Sequence, residues 1–288
     1  MQHTLPLITV NGVLGAQISP LDRGFTYGDG VFETCNIQCG SIPLWHLHKE
    51  RLLNSCKQLL IPIESNIVEL RVNQLLQQLE QAQIEHAILK ITVTRGEGGR
   101  GYRLPENPQP TIVVGAFPAA DYPADFFVEG VCVRICTQRL GCNSSLASLK
   151  HLNRLEQILA RAEWQDTSIA EGIMFDTQNN LVEGIFSNIF LIKDGQLVTP
   201  DLSQSGVAGV MRRFILEIIA PQAQLKTHIK ILSHTDLFSA DEIFLCNSLY
   251  GIWPVREIVS NQNLRLKPGK ITMQLQHLVN QFMIDAEK

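Results

Sequence analysis

Hydrophobic and polar positions follow two different periods along this chain, and each change of period marks an element. Residues 4–18 read as a hairpin: LPLITV, a turn at Asn11-Gly12, then VLGAQIS. LDRGFTYGDG (21–30) interrupts the pattern as a glycine-rich loop. VFETCNIQCGSIPLW (31–45) reads as strand, turn, strand. Helical spacing then takes over, with Leu47, Arg51, Leu52, Leu53, Leu59 and Leu60 in one segment. A second helix over 66–84 carries Ile67, Leu70, Val72, Leu75, Leu76 and Leu79. HAILKITVTRG (86–96) predicts a buried strand that ends in the glycine loop GEGGRG, and TIVVGAF (111–117) predicts another strand.

PAADYPADFF (118–127) is rich in Pro, Ala and Asp and is the best candidate for a linker. The expected organisation is a small α/β domain over 1–117, a linker over 118–124 and a larger domain over 125–288. Beyond the linker, VCVRICT predicts a strand and 151–164 a helix with a stripe of Leu152, Leu155, Ile158, Leu159 and Ala162. From Glu171 to Pro200 the pattern predicts a β-meander with turns at Asn179-Asn180 and Asp194-Gly195. Residues 206–220 begin with glycines and become an amphipathic helix, DEIFLCNS is a short buried strand, and the C-terminus is helical. No clean βαβ alternation appears, so the fold class is α+β. GEGGRG follows a strand but precedes RLPENP, which cannot start a helix, so it is not a dinucleotide-binding fingerprint.

Composition narrows the function. A chain of 288 residues with 45% hydrophobic and 18% charged residues has an ordinary globular balance. A net charge of −4 with no basic cluster argues against a nucleic-acid or membrane-surface partner. The seven cysteines are irregularly spaced, without a C-x-x-C or a His pair at zinc spacing, so a metal site is not expected. Several lie in apolar runs and behave as small hydrophobes. Free thiols imply a reducing compartment, and MQHTLPLITVNG is unlike a signal peptide, so a cytoplasmic protein is expected.

Four segments carry candidate chemistry. Lys150 stands among leucines in SLASLKHLNRLEQ. An ammonium beside apolar groups loses hydration, its pKa falls, and it becomes a nucleophile or base; a lysine that covers apolar surface with its stem is the ordinary alternative. Glu183 lies in VEGIFSNIF among Val182, Ile185, Phe186 and Ile189, where a carboxylate needs a partner such as a protonated pyridine nitrogen, unless it faces solvent at a strand end. SGVAGVMRRFILEII opens a helix with glycines, which is either a phosphate seat or a plain helix entry at Gly209. Arg51, in HKER, is a phosphate clamp or a surface arginine, and Ser248 after IFLCN offers a hydroxyl. An amine, an acid for a ring nitrogen and a phosphate cradle are together what pyridoxal phosphate requires.

The chain resembles the fold-type IV pyridoxal phosphate enzymes, the class of branched-chain and D-amino-acid aminotransferases and aminodeoxychorismate lyases. The resemblance spans nearly the whole length. It rests on DRGFTYGDGVFET (22–34), HKER (48–51), RGEGGRGY (95–102), KHLNRLEQ (150–157), VEGIFSNIF (182–190), GVAGVMRR (206–213) and CNSLYGIWPV (246–255), in the order of the class. KHLNRLEQ, with Arg154 where the aminotransferases usually carry tyrosine, and RGEGGRGY are similar to the lyase branch.

The resemblance implies a two-domain architecture like that of the D-amino-acid aminotransferases, with a small α/β domain and a larger barrel-like one, usually as a homodimer. It implies that Lys150 carries pyridoxal 5'-phosphate covalently and moves protons. Glu183 holds the pyridine nitrogen protonated. Arg51, the N–H groups of Val210 and Met211, and Ser248 bind the phosphate. Arg154 and Asn188 line the cofactor, Thr34 faces the substrate, and Tyr27 and Arg100 contact it. The implied activity is that of the lyase branch: conversion of aminodeoxychorismate to 4-aminobenzoate and pyruvate on the way to folate. A D-amino-acid or branched-chain aminotransferase is the alternative within the class, and a non-catalytic binding protein of this fold is the alternative outside it.

Overall fold

The Asn11-Gly12 turn puts two consecutive residues at positive φ (50° and 84°), as a tight two-residue hairpin turn requires. It joins β1 (Leu7–Val10) to a short β2 (Val13–Leu14). In this computed structural model, which describes residues 4–260 and 262–285, that hairpin opens the first of two units. The first unit comprises residues 4–120 together with 149–153; the second comprises 121–148 and 154–285.

In the first unit, α1 (Arg23–Tyr27), β3 (Gly30–Ile37), α2 (Trp45–Gln58), α3 (Ser65–Gln81), β4 (Ala87–Thr94) and β5 (Thr111–Phe117) follow. The strands form an antiparallel sheet in the order β2-β1-β5-β4-β3. Alternation decides its two faces. Val31, Cys35, Leu89, Ile91, Ile112 and Val114 point into a core shared with Leu52 and Cys56 of α2 and with Val68, Val72, Leu75 and Leu79 of α3. Phe32, Thr34, Ile88, Lys90 and Thr92 alternate with these and remain half-buried or exposed. The strand predicted over 86–96 is therefore buried on one face only. The second strand expected within 31–45 shrinks to one bridge, Gln38 with Ser41, before α2 begins.

The second unit contains α4 (Asp125–Val128), β6 (Val131–Leu140), α5 (Leu155–Arg161), β7 (Ile169–Asp176), β8 (Leu181–Gly184), β9 (Asn188–Lys193) and β10 (Gln196–Pro200). A continuous helical stretch comes next: α6 (Val210–Phe214), a π-helical turn (Ile215–Ile219) and α7 (Ala220–Gln222). Then come β11 (Thr227–Lys230), α8 (His234–Phe238), β12 (Glu242–Asn247), β13 (Gly251–Val259), β14 (Leu264–Arg265) and α9 (Lys270–Asp285). Its sheet runs β11-β10-β9-β12-β13-β6-β7-β8, with β14 added beside β13, and curls into a half-barrel. Trp253, Tyr250 and Ile243 pack in its core. No helix among the described residues is long and apolar enough to cross a membrane.

Two expectations change here. The meander predicted from Glu171 to Pro200 splits: β7 pairs with β8 and β9 with β10, but β12, β13 and β6 stand between the two hairpins. Hydrophobic alternation identifies strands but not their neighbours, because any apolar face can pair beside any other. The helix predicted over 151–164 covers only Leu155–Arg161, and the side chains it buries are Gln157 and Ala160. Leu155, Ile158 and Leu159, predicted as its buried stripe, are 72%, 61% and 57% exposed.

Gly96, at the end of β4, has φ +84°, and a Cβ there would lie 1.8 Å from the Gln109 carbonyl oxygen. Gly96→Ala should cost about 2–4 kcal/mol from left-handed strain plus backbone overlap. Chemical denaturation measures this, and a loss under about 1 kcal/mol would contradict the contact.

Candidate active site

Lys150 is not at a helix start. Residues 150–152 run as an extra strand beside β3: the Phe32 N–H donates to the Lys150 carbonyl (2.9 Å), the Leu152 N–H donates to the Gly30 carbonyl (3.0 Å), and His151 bridges to Val31. Gly30 permits this approach, since a Cβ there would lie 2.8 Å from Leu152 Cδ1 and 2.6 Å from the Val93 carbonyl. The pairing sets the Lys150 amine 4.4 Å from the centroid of the Phe32 ring. An aromatic face attracts the ammonium yet offers it no proton acceptor. Thr34, one step further along the same face of β3, is half-buried.

The opposite, buried face of β3 carries Glu33. His48 Nδ1 lies 2.7 Å from its carboxylate, and Arg51 donates through Nε (2.7 Å) and Nη2 (2.5 Å). Burial alone would raise this carboxyl; the Arg51 charge and the bonds from His48 and Arg51 outweigh it and bring the pKa to about 2. The His48 pKa is lowered, chiefly by burial. Arg51 is thus no loose surface residue: a two-point grip fixes its guanidinium plane. Cys35 offers a third metal-type donor atom close to those of Glu33 and His48, but Arg51 already supplies the positive charge there.

The glycine-rich loops of the first unit are pinned by charge. Asp29 accepts from Arg23 Nε (2.8 Å) and from Arg95 Nε (2.7 Å) and Nη2 (2.9 Å), and Arg95 also donates to the carbonyls of Leu59 and Leu60. Asp22 caps α1 through the Gly24 N–H and accepts from the Thr94 hydroxyl (2.9 Å). Tyr27 Oη accepts from the Gly101 N–H (3.0 Å), which ties α1 to the loop bearing Arg100. Arg100 itself is exposed.

In the second unit, Glu183 is 3% exposed and accepts the Val207 N–H at 2.7 Å. Asn188 donates to the Val207 carbonyl at 2.8 Å, so both residues grip Val207 from opposite sides. The glycines before α6 are required: a Cβ at Gly209 would lie 1.9 Å from Asn188 Oδ1, and one at Gly206 would lie 2.6 Å from Val182 Cγ1. Gly209 is the N-cap residue and makes no side-chain cap, which leaves the entrance N–H groups of Val210 and Met211 to another acceptor. Ser248 lies in the turn after β12, organised by Asn247 Oδ1 accepting from the Leu249 and Tyr250 N–H groups. Arg154 is the residue before α5, and its carbonyl accepts the Ile158 N–H.

Sequence reasoning missed Phe32 as the surface under the lysine, Glu33 as the anchor of Arg51, and Glu171 on β7. The Glu171 carboxylate is fully buried. It accepts from the N–H groups of Gly172 (2.9 Å), Ile185 (3.1 Å) and Phe186 (3.3 Å) and from the Ser187 hydroxyl (2.9 Å). It thereby shapes the turn between Glu183 and Asn188, while burial pushes its pKa up to about 7. One signal was available for both acids: each is a carboxylate at a position where strand alternation points into the core.

A family described as class IV aminotransferases matches residues 30–258. The chain belongs to the class IV aminotransferase family. It is 35% identical to the aminodeoxychorismate lyase of Vibrio harveyi over 277 residues, covering 94% of this chain and 98% of that protein. The crystal structure of 4-amino-4-deoxychorismate lyase from Pseudomonas aeruginosa superposes with a TM-score of 0.89 at 41% identity, covering 98% of this chain and all of that one. A putative branched-chain-amino-acid aminotransferase of Methanocaldococcus jannaschii is 30% identical over 90% of this chain and 89% of that protein. These class IV relatives cover 90–98% of this chain, and the fold is α+β.

Replacing Glu33 by Gln should cost about 3–5 kcal/mol at pH 7, because Arg51 is left buried without its counter-charge. A carboxyl near 2 when folded and near 4.5 when unfolded stabilises above about pH 5, and this is lost as pH falls toward 2. The wild-type advantage over E33Q should therefore shrink between pH 5 and pH 3 in urea titrations. An equal gap at both pH values would contradict the ion pair.

Proposed function

We propose that the chain converts 4-amino-4-deoxychorismate to 4-aminobenzoate and pyruvate with pyridoxal 5'-phosphate, as the lyase branch of its family does. What carries this reading is the 41% identity over essentially the entire chain to a lyase structure. An aminotransferase structure from Escherichia coli also superposes, at TM-score 0.80, but at 24% identity, which supports the fold alone.

The residues present fit the cofactor. Glycine is enforced at 206 and 209 beside a helix entrance whose N–H groups can meet phosphate oxygens, and a buried carboxylate at 183 is fixed by a backbone donor. Val210, Met211, Ser248 and Arg51 would hold the phosphate, with Arg51 oriented by Glu33. Glu183 would keep a proton on the pyridine nitrogen, and Asn188 and Arg154 would line the ring. When bound, the cofactor supplies an aldehyde for the substrate amine and a cationic ring that accepts an electron pair. Lys150 Nζ, held over the apolar ring of Phe32, takes the proton from the amine-bearing ring carbon. The same nitrogen returns a proton to the departing enol side chain, and aromatisation drives the elimination. Thr34, Tyr27 and Arg100 are the proposed substrate contacts.

A homodimer is part of this proposal. Leu155, Ile158 and Leu159 form an exposed apolar face on α5 of the kind a second copy covers. All seven cysteines are free thiols, which suits a reducing, cytoplasmic setting.

Wild-type protein incubated with pyridoxal 5'-phosphate and aminodeoxychorismate should release 4-aminobenzoate, and Lys150→Ala should lose at least about a thousandfold in rate, since covalent anchor and proton carrier vanish together. Half-transamination of D-alanine as fast as lyase turnover would instead favour the aminotransferase reading.

A further inference from the structure

The substrate of the proposed reaction carries two carboxylates, and several cations of the first unit are already committed to acids. Arg23 and Arg95 are bound to Asp29, Arg51 to Glu33 and Lys49 to Glu69. Lys90 is different. It lies in the middle of β4 on the face that also carries Phe32 and Thr34, and it is exposed. Among the described residues it has no carboxylate partner. Its one contact of note is with the Phe32 ring, whose centroid is 5.5 Å from Nζ.

That ring is the one beneath the Lys150 amine, at 4.4 Å. Two distances to one centroid bound the separation of the ammonium groups at about 10 Å. The strand register adds two further facts. Lys90 pairs directly with Thr34 on β3, so the two side chains leave the sheet from neighbouring positions on this face. On its other side Lys90 pairs with Gly115, where the Phe117 ring and Ile8 take the place of a side chain and bring no charge to neutralise the ammonium. An exposed cation paired with a hydroxyl residue on one side and flanked by apolar groups on the other, with no acid partner among the described residues, makes a seat for a carboxylate.

We infer that Lys90, with Thr34, binds the ring carboxylate of the substrate while Lys150 works at the amine-bearing carbon. This rests on the lyase reading above. The choice of carboxylate follows from the molecule. The ring carboxylate lies on the carbon opposite the amine, a ring's width from the atom Lys150 must reach, and the Phe32 ring that both lysines approach is a flat apolar support for that ring. The enolpyruvyl carboxylate sits beside the amine and is expelled with pyruvate. The ring carboxylate is therefore the one that 4-aminobenzoate retains, and the product reports on Lys90 without any turnover.

The test is binding of 4-aminobenzoate and of aniline, its carboxylate-free analogue, to holoenzyme by isothermal titration, in wild type, Lys90→Ala and Lys90→Arg. A charge-assisted hydrogen bond of this kind changes affinity about tenfold. K90A should weaken 4-aminobenzoate about tenfold and leave aniline unchanged, and K90R should recover most of the loss. In steady-state assays with aminodeoxychorismate, KM should rise about tenfold in K90A while kcat falls less. Equal 4-aminobenzoate affinity in wild type and K90A overturns the assignment, as does an equal loss for aniline. Either result leaves the lyase reading standing if wild type still turns over. A wild type that makes no 4-aminobenzoate removes both.

Discussion

The position of Lys150 depends on a backbone pairing. Residues 150–152 lie beside β3 only because residue 30 has no side chain, and two ladder hydrogen bonds then lock their register. A slip of one residue would turn Lys150 to the other face, toward the side that carries Glu33. Instead the amine stands 4.4 Å from the centroid of the Phe32 ring, whose face attracts an ammonium.

Within each unit the protein uses buried or half-buried carboxylates as rigid pegs. Glu33 orients Arg51, Asp29 holds two arginines under the glycine-rich loops, Glu171 shapes the turn at 185–187, and Glu183 fixes Val207. An unpartnered buried carboxylate is costly, so each must be met by donors, and the donors it recruits become as immobile as the core. Ordering a site through such pegs keeps its loops in place without disulfides. Glu171 and Glu33 show how differently burial resolves: one carboxyl rises to about 7 among neutral donors, whereas the other falls to about 2 beside a guanidinium.

Much of this was legible in the chain before any fold was known. The strand periods of 86–96 and 111–117, the Asn11-Gly12 turn and the helices α2 and α3 appear where the pattern puts them, because one face of each is buried against a single core, whereas α1 falls in a segment read as a glycine-rich loop. The glycines of GVAGVMRR announced a crowded helix entrance, and two of them are sterically compulsory. Less legible were pairings across distance. The strands around Glu183 were readable one by one, but not the insertion of β12, β13 and β6 between them. The stripe on α5 was read as core and is instead a bare face, since periodicity reports an apolar surface without saying what covers it.

The sequence by itself determined the inventory: which residues can be nucleophile, acid, phosphate donor or peg, and which segments are strand or helix, because those follow from side-chain chemistry and local period. Only the tertiary structure decided neighbours. It put Lys150 on the ring that Lys90 also touches, set Thr34 opposite Lys90, and made Glu33 the anchor of Arg51. Such contacts join positions tens of residues apart, and their register is fixed by how whole strands bury their faces together, a quantity no short window of residues contains.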